Sequence, residues 1–156
     1  MKHEPDLIII CFGLNDVNGS LEDYLNPLEN MFKQCVSCGI DVIFMTPNML
    51  NTRVADDTPE QHYNYAIKTA KMQNDGRMDQ YIYSAIELAK MYGVLVCDCY
   101  SKWKEISKTQ DITMLLVNRI NHPTSEMHLL FATALYEMII EDDRNTAENQ
   151  STMFRQ

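Results

Sequence analysis

The sequence is short of basic charge. Its 156 residues hold 13 Lys and Arg against 22 Asp and Glu, a formal net charge of -9. Nucleic acid and anionic membrane are themselves negative, so a chain this acidic is a poor general binder of either. Long hydrophobic runs are missing too. The longest reaches from Leu7 to Gly13, far below the ~20 apolar residues of a membrane-spanning helix. The segment before it, Met-Lys-His-Glu-Pro-Asp, has no apolar stretch of signal-peptide length. It therefore reads as carrying no export signal, and the protein as cytoplasmic. Five Gly and five Pro leave no low-complexity linker, and no internal repeat is visible. No Gly-rich phosphate loop of either common type occurs, which argues against a nucleotide-binding domain.

What remains is ordinary globular material. The composition is 46% hydrophobic and 22% charged, enough to build one core. The cysteines are Cys11, Cys35, Cys38, Cys97 and Cys99. An odd number without an export signal points to reduced thiols and not to a disulfide framework. Cys35-Val-Ser-Cys38 and Cys97-Asp-Cys99 have spacings that metal sites also use. Burial explains them more simply, with Cys97 and Cys99 on one face of a strand. No metal or cofactor is expected.

Residues 6–12, Asp-Leu-Ile-Ile-Ile-Cys-Phe, read as a strand buried on both faces. Gly13 to Gly19 is a polar turn segment. Ser20 then caps a helix whose apolar positions run from Leu21 to Cys35, with Gly39 as its stop and Asp23 completing a weak capping box. Pro27 lies inside this pattern and should kink the helix or mark its true start. Val42–Thr46 and Val94–Cys97 are the second and third strands. Between them, Thr58-Pro59-Glu60 starts a helix, Gly76 interrupts, and a better helix runs from about Met78 to Tyr92. A short helix spans Tyr100 to Ser107, and a loop covers 108–123. The last helix starts near Thr124 with a buried stripe of Leu130, Phe131, Ala134, Leu135, Met138 and Ile139. The folded domain is read as 1–141, and 142–156 as a polar, disordered tail. Strands alternating with helices define an α/β fold with a parallel sheet, helices on both faces and right-handed crossovers. Three strands make a thin sheet, against a typical ~5 to 6.

Ligands of open α/β sheets bind beyond the carboxyl ends of the strands. Gly13-Leu14-Asn15-Asp16 lies at such an end. Asn15 can offer its amide to a developing oxyanion, and Asp16 can hold the turn through local backbone N–H groups. These are also the ordinary residues of any polar turn. Asn121-His122-Pro123 precedes the last helix, where an imidazole titrating near neutrality can act as a general base. A capping or surface histidine fits that position equally well. His3, His62 and His128 form no trusted metal-binding spacing.

Taken together, the strand ending in Gly-Leu-Asn-Asp and the late Asn-His-Pro before an amphipathic helix with Leu-Phe-Ala resemble the SGNH hydrolases, the GDSL-type esterases and lipases. The resemblance runs from Pro5-Asp6-Leu7-Ile8-Ile9 through Met127-His128-Leu129-Leu130-Phe131-Ala132. It implies a three-layer, flavodoxin-like fold and ester hydrolysis by Ser–His catalysis, on small esters such as acetylated carbohydrate. By motif, Asn15 matches the oxyanion-hole Asn and His122 the catalytic base, with Gly13 and Asp16 supporting the turn.

Two departures stand out. The family's nucleophilic Ser block and its Gly block lie upstream of the Gly-x-Asn-Asp strand, yet none of the twelve residues before Gly13 is Ser. Later serines match no nucleophile motif. The chain thus corresponds to the family's C-terminal blocks, without the N-terminal strands of the complete fold, and alone is expected to be inactive. Second, the residue three before His122 is Arg119 and not Asp; Asp111 is the nearest loop carboxylate. An unprotected edge at residues 6–12 would pair with a second copy or with a missing N-terminal segment. The alternative is a non-catalytic α/β module that binds a partner or small ligand.

Overall fold

The computed structural model describes the backbone of residues 4–153 and the side chains of residues 4–140. Three strands, β1 (Leu7–Ile10), β2 (Asp41–Met45) and β3 (Leu95–Cys97), form one parallel sheet in the order β1-β2-β3. Leu7 pairs with Asp41 and Ile10 with Phe44, while Ile43 pairs with Leu95 and Met45 with Cys97. The carboxyl ends of all three strands therefore lie on one side, where the loops that follow them meet.

The first helix, α1 (Leu21–Ser37), begins where Ser20 Oγ accepts the Asp23 N–H at 3.0 Å. That cap fixes the start ahead of Pro27, and the helix runs unbroken past it. Pro27 therefore does not mark the beginning. Gly39 at φ +69° ends the turn after the helix, a conformation open to Gly at little cost. Next come α2 (Tyr63–Asn74), α3 (Arg77–Met91), α4 (Cys99–Ile106) and α5 (Ser125–Met153). A 3-10 turn, Glu60–His62, leads into α2.

The two faces of β2 show how the layers form. Val42 and Phe44 point into the larger core, with Phe32 and Leu28 of α1 and Ile82 and Ala85 of α3. Ile43 points the other way, into a smaller cluster with Cys97, Cys99 and Ala134 of α5. The α5 stripe of Leu130, Phe131, Leu135, Met138 and Ile139 packs against this second cluster. Helices thus cover both faces of the sheet.

Other boundaries differ from the sequence reading. β1 is not buried on both faces: Leu7 is 39% and Ile9 44% exposed, and only Ile10 is buried. It is an edge strand, with β2 on one side and, among the described residues, no strand on the other. Cys99 is the first residue of α4 and not a strand residue. Its thiol still lies 3.8 Å from that of Cys97, both buried. All five cysteines are free; Cys35 is buried as expected, whereas Cys11 and Cys38 are exposed. α5 continues through position 142 to Met153, with no Gly or Pro between 125 and 153 to stop it. His3 and residues 154–156 of the expected tail lie outside the described residues. Among the described residues no helix is long and apolar enough to cross a membrane.

Candidate active site

The loop after β1 is held by its own residues. The Gly13 N–H donates to Asp16 Oδ2 at 2.9 Å, and Val17 N–H reaches Gly13 O at 3.4 Å. Gly13 sits at φ +120°, and a Cβ there would stand 2.9 Å from Tyr24 Oη and 3.0 Å from Ile82 Cδ1. Backbone conformation and space both demand glycine. Tyr24 Oη donates to Phe12 O at 3.1 Å. Burial, then the Asp16 charge, pushes the Tyr24 phenol up, so it stays a neutral donor. Asn15 follows at the head of a 3-10 turn, Asp16–Asn18, with an exposed side chain that makes no hydrogen bond among the described residues.

The loop that carries His122 is pinned by a residue the sequence reading passed over. Asn118 Oδ1 accepts three backbone N–H groups, from Ile120 at 3.1 Å and from Asn121 and His122 at 3.0 Å each. The Val117 N–H donates to His122 O at 2.7 Å, and Leu116 and Pro123 form an antiparallel bridge. The segment after β2 clamps this loop from below. Asn48 Nδ2 donates to Asn121 O at 2.9 Å, and the Asn51 N–H to Ile120 O at 2.8 Å. Asn118 and Asn48 carried no sequence signal beyond being Asn in a polar loop; only their backbone partners give them a role.

A depression of about 330 Å³ lies between these loops, at the size where small-molecule sites begin. Asn15 lines it from the β1 loop, Met45 and Asn48 from the end of β2, and Pro123, His128 and Phe131 from the start of α5. The structure thus brings the Asn15 turn and the start of the last helix together. His122 itself is exposed, adjacent in sequence to Pro123, and is not among the lining residues. Its imidazole makes no hydrogen bond or ion pair among the described residues. His128, which the sequence reading set aside, faces the depression.

The neighbouring carboxylates are committed elsewhere. Asp111 caps the Thr113 N–H at 3.0 Å and pairs with Arg53 at 2.7 Å. Arg119, at φ +59°, pairs with Asp57 at 2.9 Å and donates to the carbonyls of Met114 and Leu116. Cys11 lines the depression, but burial and the nearby Cys97 push its thiol up from the ordinary value. A nucleophile needs the thiolate, so Cys11 is poorly suited to that role. No hydroxyl side chain lines the depression among the described residues, and no group of three or more metal-ligating side chains occurs among them.

Comparison with solved structures finds the same fold in other proteins. The chain superimposes on the acetylxylan esterase Axe2 from Geobacillus stearothermophilus with a TM-score of 0.65 and 22% identity, over 87% of this chain and 60% of that one. A tryptophan variant of Axe2, described as an acetyl-xylooligosaccharide esterase, gives 0.64 and 23% over the same shares. LAE5, an alpha/beta hydrolase from the metagenome of Lake Arreo, Spain, gives 0.65 and 20%, covering 86% of this chain and 59% of that one. At these identities the likeness is one of fold. The chain spans about 60% of the length of the solved proteins it matches. No protein-family model matches it, and no curated protein does.

Proposed function

We propose that these residues are the C-terminal part of an SGNH-type ester hydrolase. One observation carries the reading. The Gly13-Leu14-Asn15-Asp16 turn and the start of α5, just after His122, share one depression at the carboxyl end of the sheet, in a fold that matches esterases over 87% of the chain. The substrate class is a small ester, with acetylated carbohydrate favoured by the likeness to the xylan esterases.

The chemistry follows from the groups available. A serine hydroxyl attacks the ester carbonyl carbon while His122 takes its proton. The Asn15 side-chain amide donates to the oxyanion that develops on the carbonyl oxygen. Collapse of the tetrahedral intermediate expels the alcohol, which recovers the proton from His122, and water then repeats the sequence on the acyl-enzyme. One oxyanion donor of this kind is worth about 3 kcal/mol of barrier. The serine and a further oxyanion donor come from outside these 156 residues. Beside the open edge of β1 lies a groove of about 540 Å³, lined by Ile8, Ile10, Met31 and Cys35, which suits an added parallel strand. The chain alone is therefore inactive, and its free edge is available to a second copy.

A second reading, a non-catalytic binding module of the same fold, is favoured by the His122 imidazole, which lacks any carboxylate partner among the described residues. The codons immediately upstream of Met1 separate the two. The hydrolase reading expects a strand ending in a Gly-Asp-Ser type motif, then a Gly-bearing loop. An upstream reading frame without them removes it.

A further inference from the structure

We infer that Asn48 selects the alcohol half of the substrate, so that the depression takes an ester whose alcohol keeps a free hydroxyl beside the acylated one, as in a partly acylated polyol or sugar. The inference rests on the hydrolase reading and deepens it.

Asn48 is 4% exposed, and its Nδ2 donates to Met49 O at 2.8 Å and Asn121 O at 2.9 Å. Both partners are backbone carbonyls, which only accept, so the orientation of the carboxamide is fixed by its neighbours. Its Oδ1 accepts no hydrogen bond among the described residues. Nor does it belong with the fully enclosed, unpartnered side-chain atoms there, Thr58 Oγ1 and Trp103 Nε1. Oδ1 is therefore unpartnered but not fully enclosed, on a residue that lines the depression.

A nearly buried carbonyl needs a donor. A carboxylate brings only acceptors, and an alkyl chain brings neither. A hydroxyl brings an O–H, and the rings of Phe12 and Phe131 on the same depression suit the C–H faces of a polyol. Asn15, whose amide is unengaged, is left for the ester carbonyl. A site built to bond a hydroxyl rejects an analogue lacking it far more strongly than an apolar pocket rejects a change of one methylene.

Glycerol monoacetate, with two free hydroxyls, and glycerol triacetate, with none, test this on the full 156-residue chain by titration followed by NMR. The expected result is a saturable shift of the Asn48 side-chain amide and carbonyl-carbon resonances and of the Phe131 ring with the monoacetate. The triacetate should bind at least about tenfold more weakly, and sodium hexanoate should leave Asn48 unmoved. Equal binding of the two acetates, shifts confined to other residues, or no response to the monoacetate would overturn the role of Asn48. These readouts need no variant, so folding does not confound them. Monoacetate binding as stated, with no ester hydrolysis by the chain joined to its upstream segment, would remove the hydrolase reading and leave a hydroxyl-recognising cavity. Hydrolysis without hydroxyl discrimination would remove the Asn48 role alone.

Discussion

The Arg119 guanidinium holds the Asp57 carboxylate with Nε 3.0 Å from both oxygens and Nη2 2.9 Å from one. Position 119 is three residues before His122, where the SGNH pattern has its acid. A free cation at that position would oppose protonation of a neighbouring imidazole. The Arg119 charge is spent instead on Asp57 and on the carbonyls of Met114 and Leu116, so Arg119 acts as a brace between two loops.

This brace gives a pH signature of known sign. Chiefly through its hydrogen bonds, Arg119 holds the Asp57 carboxyl below its ordinary value. The pair's contribution to stability is therefore present above the unfolded carboxylate range, about pH 4, and disappears as pH falls through the lower folded value. Asp57 is well exposed, so solvent screens the effect. Melting curves from pH 3 to 7 should show Asp57→Asn a few degrees below the parent at neutral pH, with the gap closing in acid. A gap that is constant with pH would contradict the pairing.

Gly13 is the most constrained backbone position of the site. Gly13→Ala places a Cβ 2.9 Å from Tyr24 Oη at a φ of +120°. The expected cost is about 1–3 kcal/mol, read as a clear fall in melting temperature, together with a change in the Asn15 backbone resonances. An unchanged melting temperature would show that the turn can relax.

Cys11 has an exposed surface but a thiol pushed up by burial and by Cys97. Its alkylation by iodoacetamide should keep climbing above pH 9, where a free cysteine, with an ordinary pKa of about 8.5, is already levelling off. Mass spectrometry of the labelled peptide reads this directly. Saturation at pH 8 would contradict the assigned direction.

The open edge predicts self-association of the isolated chain. Ile9 is 44% exposed on a strand that has no outer neighbour among the described residues, and an unprotected apolar edge recruits other chains. Light scattering should show dimers or larger species that Ile9→Lys shifts toward monomer. A monodisperse monomer at high concentration, before any substitution, would count against the edge as an interface.

Much of the fold was readable in the sequence because it is written locally. The apolar runs at 7–10 and 42–45, the Ser20 cap and the α5 stripe each declare themselves within a few residues. The register of Ile43 against Leu95 does not, nor does the exposure of β1, because both depend on which strands lie alongside. The site was legible in part. Asn15 stands where its turn motif puts it, on the depression. His128 had no motif and was reached only through the way α5 leaves Pro123. Asn48 was invisible because its work is done on a backbone group distant in sequence, the carbonyl of Asn121, and Asn118 because a loop Asn gives no sign of which nearby N–H groups it will gather.

The central claim is that Asn15 and His122 are catalytic groups of an esterase completed by residues outside this chain. Steady-state hydrolysis of p-nitrophenyl acetate by the 156 residues joined to their translated upstream segment tests it most directly, with Asn15→Ala and His122→Ala alongside. The account predicts turnover by the joined chain, none by the 156 residues alone, and a loss in kcat of about 10²–10³ for Asn15→Ala with KM little changed. It predicts a loss at least as large for His122→Ala. An inactive joined chain, or full activity in either variant, would contradict it.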